Sequence, residues 1–198
     1  ILDNGSVSCW GDNSYGPLGD GSYTNRNTPT QTSSLGTGRT AVAISSGTFH
    51  SCAVLDDGSV SCWGYNAYSQ LGDGTTIDRN TPTQTSSLGT TTNPRIAALS
   101  ERDFDNDGIL NIFDVHQNLD NRESAISSGG SHNCAVLDNG SVSCWGKNSK
   151  GQLGSGTTTT RSTPTQTSSL GTNRTAVAIS AGGQHTCAVL DDGSVSCW

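Results

Sequence analysis

Methionine is absent from this chain of 198 residues, lysine and arginine together number ten, and charged residues make up only 14%. So small a basic complement, set against 17 acidic residues and a net charge of −7, excludes the cationic footprint that neutralises nucleic-acid phosphates. Nucleic acid is therefore not an expected partner. No run of about 18 apolar residues occurs, so no helical membrane span is expected in this stretch. Good helix formers are few, and Gly, Ser, Thr and β-branched residues fill the chain. That is the composition of strands and turns.

What is present is repetition. The segment S-V-S-C-W ends at Trp10, Trp63, Trp145 and Trp198, so all four tryptophans share one phase, at intervals of 53, 82 and 53 residues. Leu35, Leu88 and Leu170 keep the same intervals, as do His50, His132 and His185. The period is 53, interrupted once by 29 extra residues between Leu88 and His132. Each period holds A-V-A-I-S, C-A-V-L, S-V-S-C-W and T-P-T-Q-T, four short β-branched segments. Between the second and third lies Asp56-Asp57-Gly58, Asp138-Asn139-Gly140 or Asp191-Asp192-Gly193, a hairpin turn with glycine supplying positive φ. Four-stranded units that cannot bury both faces alone predict an all-β fold of antiparallel propeller blades, with a β-solenoid as the alternative.

The run from Gly47 to Gly74, G-T-F-H-S-C-A-V-L-D-D-G-S-V-S-C-W-G-Y-N-A-Y-S-Q-L-G-D-G, resembles the repeat of the regulator of chromosome condensation family. Gly130 to Gly156 does so too, and the first unit departs only in reading G-P-L-G at Gly16 to Gly19. The resemblance implies a seven-bladed propeller, of which this chain is expected to be an incomplete array of about three blades. The remaining blades of a longer parent are then its first expected partners.

Seven cysteines form three C-x9-C pairs and one remainder, Cys9. If the turn is a three-residue loop with a glycine bulge, Leu55 faces Ser59 and Cys52 stands opposite Cys62, near disulfide distance. The same register pairs Cys134 with Cys144 and Cys187 with Cys197, and bridges at every hairpin imply export. Buried free thiols are the alternative. His50, His132 and His185 each precede a cysteine by two residues, but their recurrence in phase reads as packing or loop bonding rather than metal ligation. Arg26, Arg79 and Arg161 also recur in phase and read as stabilising the fold. Repetition alone produces every Ser, His and Asp combination, so no catalytic residue is assigned.

Residues 93–122 are different material, inserted between propeller repeats at 1–92 and 123–198. Asp103, Asp105 and Asp107 occupy positions 1, 3 and 5 of a calcium loop, followed by Gly108 at 6, the Ile109 carbonyl at 7, Asn111 at 9 and Asp114 at 12. The stretch is similar to thrombospondin type 3 and dockerin loops, because position 12 is Asp rather than Glu. Asn118, Asp120 and Asn121 begin a second, incomplete set. Both Arg95–Ser100 and Ala125–Gly129 match the first strand of a repeat, and either is able to complete the blade. The expected function is an extracellular or cell-surface binding module for a protein or glycan, with structural calcium and no enzymatic activity. Guanine-nucleotide exchange by family analogy, or an enzyme with its site in other blades, is the alternative.

Overall fold

The computed structural model describes residues 1–88, 126–137 and 139–198. The proposed calcium ligands Asp103, Asp105, Asp107, Ile109, Asn111 and Asp114 lie outside them, as does Arg95–Ser100. Among the described residues there are thirteen strands and no helix, and every pairing is antiparallel. Two sheets have four strands: β3 (Ala41–Ser46), β4 (His50–Leu55), β5 (Val60–Gly64) and β6 (Arg79–Gln84), then β7 (Ile126–Ser128), β8 (His132–Val136), β9 (Val142–Gly146) and β10 (Arg161–Gln166). Both follow chain order across the sheet. A pair, β1 (Ser8–Gly11) with β2 (Arg26–Gln31), repeats β5 and β6, while β11 (Ala176–Ala181), β12 (Thr186–Leu190) and β13 (Val195–Cys197) repeat β3 to β5. Of the two candidate first strands flanking the insertion, Ile126–Ser128 is paired, with Ile126 opposite Ala135.

The turn sets the register. Gly58, at φ +79°, donates to the Leu55 carbonyl at 2.9 Å, and Leu55 donates to Ser59 at 2.8 Å. Asp57 secures the loop by accepting from the Ser59 N–H and hydroxyl at 3.0 and 2.6 Å. Counting back from this closed pair puts Cys52 opposite Cys62 at a non-hydrogen-bonded position, where strands approach most closely. Their Cα atoms are 4.1 Å apart.

The β4–β5 and β8–β9 hairpins are buried on both faces, and strand alternation divides each between two neighbours. Cys52, Val54, Val60 and Cys62 join Leu71 in packing against Ala135 and Trp145 of the next sheet. Ala53, Leu55 and Trp63 face the other way, against Val7. Cys134, Val136, Val142, Cys144 and Leu153 repeat the first arrangement against Ala188 and Leu190. The core is therefore a series of equivalent seams between sheets. First strands are also tied directly, since the Ser128 and Ala181 N–H groups donate to the Ser45 and Ser127 hydroxyls, each at 2.9 Å. Pro29, Pro82 and Pro164 lie in the outermost strands, where a missing ladder donor costs little.

Candidate functional site

The repeats consist of a constant framework and a few positions that change, and the two play different parts. At each seam the framework makes one polar node. The Trp63, Trp145 and Trp198 indole N–H groups donate to the carbonyls of Pro17, Gln70 and Gln152 in the preceding sheet, at 2.8, 2.9 and 3.1 Å. Because the acceptor is a backbone carbonyl, Pro17 keeps this bond, though not the one that the Gln70 and Gln152 side chains accept from the Tyr68 and Lys150 N–H groups, each at 2.9 Å. The same three carbonyls accept from the side chains of Ser51, Asn133 and Thr186.

Asn133 and Thr186 in turn receive His50 and His132 of the preceding sheet, each through Nε2 at 2.9 Å. Since Asn133 Nδ2 and the Thr186 hydroxyl already donate to carbonyls, their oxygens accept here and Nε2 of each ring carries a proton. Their Nδ1 atoms are buried and have no partner among the described residues. Burial pushes His50 down to about 4 against the opposing bond from Asn133, and burial with the charges of His50 and His185 takes His132 to about 4 as well. His50 and His132 are therefore members of the seam, as their phase suggested, whereas His185 is exposed. Among the described residues no group of three or more His, Cys, Asp or Glu side chains is placed to hold a metal.

A second constant unit shapes the loop after each tryptophan. The buried Asn66 side chain donates to the Thr75 and Ile77 carbonyls at 3.2 and 3.1 Å and accepts from the Leu71 N–H at 2.9 Å. Asn13 and Asn148 do the same in their loops. Arg26 pairs with Asp20 at 2.7 Å and Arg79 with Asp73 at 3.1 Å, so two of the three in-phase arginines stabilise the fold as expected. Burial raises the Asp20 carboxyl, but hydrogen bonds from Ser22 and Arg26 outweigh it and hold the group at about 2. In the third repeat Ser155 stands where the others have aspartate, and the buried Arg161 Nε has no partner among the described residues.

The cysteine sulfurs stand at disulfide distance in the expected pairs: Cys52 with Cys62 and Cys134 with Cys144 at 2.11 Å, Cys187 with Cys197 at 2.09 Å. Cys9 is free.

The changing positions lie at the other end of the strands from the D-D-G hairpins. Positions 12, 65 and 147 read Asp, Tyr and Lys, positions 15, 68 and 150 read Tyr, Tyr and Lys, and positions 49, 131 and 184 read Phe, Ser and Gln. The structure gathers four of these side chains into one aromatic cluster. Tyr15 lies 5.2 Å from Phe49 and 4.8 Å from Tyr65, and Tyr65 lies 6.3 Å from Tyr68. Lys147 sits over the Tyr68 ring at 4.4 Å. Tyr15, Phe49 and Tyr68 are about 40% exposed. Sequence reasoning missed the cluster. The available signal was the divergence of the repeats at these positions.

Four-stranded antiparallel meanders, packed face to face in register with a chain repeat, define a β-propeller repeat protein. The chain belongs to the regulator of chromosome condensation (RCC1) repeat family, whose model matches residues 4–54, 57–98 and 139–189. It is 31% identical to the ultraviolet-B receptor UVR8 of Arabidopsis thaliana over its whole length, and 28% identical to human E3 ubiquitin-protein ligase HERC2 over 95% of it. These alignments cover 38% and 3% of the relatives. Among solved structures, human WBSCR16 superposes with a TM-score of 0.71 at 20% identity, covering all of this chain and 44% of that one. Prp20p of Saccharomyces cerevisiae superposes with a TM-score of 0.70 at 20% identity, covering 98% and 41%. The chain thus spans less than half of each.

Proposed function

We propose that this chain is a protein-binding segment of a propeller, exported and stapled by its hairpin cysteines, with a structural calcium ion in the insertion. The observation that carries this reading is the cluster of exposed rings and lysines at loop positions that differ between repeats at one end of the blades. Seam positions that differ, Ser51, Asn133 and Thr186, still make the same bond to a preceding carbonyl, whereas these loop positions keep no common contact and are free to serve a partner. The likeness to Prp20p, whose structural report concerns binding to Gsp1p and histones, supports a protein ligand. Selection of a displayed random-peptide library on the whole chain tests it. Peptides that bind saturably and lose affinity when the diverging loops are altered are expected, and failure to recover any binder overturns the reading. Guanine-nucleotide exchange is the alternative raised by analogy with the family, and no acceleration of nucleotide release from small GTPases is expected.

The calcium proposal rests on the ligand spacing of Asp103, Asp105, Asp107, Asn111 and Asp114 with the Ile109 carbonyl. Crowded carboxylates repel without a cation, so binding orders the loop. Titration calorimetry with calcium should show heat that disappears in the double variant Asp105→Ala, Asp107→Ala. No heat at several millimolar calcium, and no protection of residues 101–121 from protease, sinks this part alone.

A further inference from the structure

Tyr15, Phe49, Tyr65 and Tyr68 come from three loops belonging to two sheets, and Lys147 reaches them from a third. None of these side chains is required by the framework, because sister repeats carry Asp12, Lys147, Lys150, Ser131 and Gln184 at the same phases. Large exposed rings that the fold does not demand are typical of binding hot spots, which are rich in tyrosine and in desolvated aromatic contacts.

Charge narrows the occupant. Lys147 and Lys150 are the only lysines in a chain of net charge −7; Lys147 stands over Tyr68, and Lys150 follows three residues later in the same loop. Asp78, whose charge is felt at Tyr65, is turned inward to accept the Asn66 N–H at 2.6 Å. The face therefore presents rings with lysines beside Tyr68, while an exposed carboxylate, Asp12, shares the loop of Tyr15. A groove at the hairpin end, lined by Leu35, Arg39, Asp57, Pro82 and Gln84, has no such free charge, because Arg39 is paired with Asp57 at 3.2 Å.

We propose that the surface formed by Tyr15, Phe49, Tyr65, Tyr68, Lys147 and Lys150 docks an acidic protein segment that carries an aromatic anchor. This deepens the protein-binding reading and rests on it. Sugar stacking is disfavoured, because a pyranose needs a flat open ring face. These rings are tilted by 59° to 80° to one another, and Lys147 caps Tyr68. A partner aromatic fits edge-on among such rings, and its flanking carboxylates meet the lysines without the desolvation cost of a buried ion pair.

The test measures binding of the whole chain to a random copolymer of glutamate and tyrosine. Polyglutamate, a copolymer of lysine and tyrosine, and polygalacturonate serve as comparisons. The variants use residues from sister repeats, so folding is retained: Tyr65→Asp, Phe49→Ser and Lys147→Asp. The glutamate–tyrosine copolymer should bind at least about tenfold more tightly than any comparison polymer. Tyr65→Asp with Phe49→Ser should weaken it by about tenfold or more, and Lys147→Asp should weaken it while flattening its salt dependence. Unchanged binding by the variants, or tighter binding of polygalacturonate, overturns the proposal. If the copolymer fails while display-selected peptides bind elsewhere on the chain, this surface is wrong and the protein-binding reading stands; if neither binds, both fall.

Discussion

The Trp145 indole lies so close to Gly72 that a Cβ on the glycine would fall 2.7 Å from the ring, while the indole N–H reaches the Gln70 carbonyl two residues away. Gly72 also has φ +68°, so any side chain there meets both a filled space and an unfavourable backbone. Gly72→Ala should destabilise the protein by about 2–3 kcal/mol in denaturant titration. Gly74→Ala is the control: its φ is +81° with open space around it, and its cost should be only about 1 kcal/mol. Equal costs would show that the seam relaxes around the added methyl.

Acid should loosen the seams before it protonates the carboxylates. His50 and His132 are depressed from 6.5 to about 4, so the unfolded chain takes up protons first as pH falls. Their stabilising contribution is complete above pH 6.5 and is lost progressively down to about 4. The expected loss is on the order of 2–3 kcal/mol per ring. Asp20, lowered from 3.8 to about 2, adds its own loss only below that range. Melting curves between pH 7 and 4 check this, and His50→Gln should reduce the slope.

Ser155→Asp should stabilise the third repeat by about 0.5–1 kcal/mol, by giving Arg161 the carboxylate that Arg26 and Arg79 already have. The gain should shrink at high salt. The mirror change, Asp73→Ser, should cost at least as much, because it strands Arg79. No gain from Ser155→Asp in chemical denaturation would mean that the loop has closed around serine.

Thiol titration of the denatured, unreduced protein should find one sulfhydryl, Cys9, out of seven cysteines. Reduction should lower stability by about 2–3 kcal/mol for each hairpin, by the chain-entropy account of short loops. Seven reactive thiols in protein taken from its native compartment would remove both the staples and the argument for export.

Strand order and hairpin register were legible because they are local. Leu55 opposite Ser59 follows from three turn residues, and Cys52 opposite Cys62 follows from strand alternation. The seam was only half legible. In-phase tryptophan and histidine signalled shared roles, but the acceptor of Trp63 is a Pro17 carbonyl, and a backbone oxygen leaves no mark on residue type. The aromatic cluster was not read at all, since Tyr15, Phe49 and Tyr65 are separated in the chain and meet only when two sheets stack. The proposed calcium ligands are the opposite case, written wholly in local spacing and lying outside the described residues.

Alternation along β4 has a consequence for assembly. Cys52 and Val54 face one neighbour while Ala53 and Leu55 face the other, and the indole of each blade is offered to the blade before it, never to the blade after. A blade therefore has a socket side and a plug side, like a threaded coupling. Successive blades are obliged to join head to tail, a heterologous contact with no twofold axis, which either closes into a ring or continues as a filament. Trp63 and Trp145, at 0% exposure, are plugs already seated in the socket of the preceding repeat.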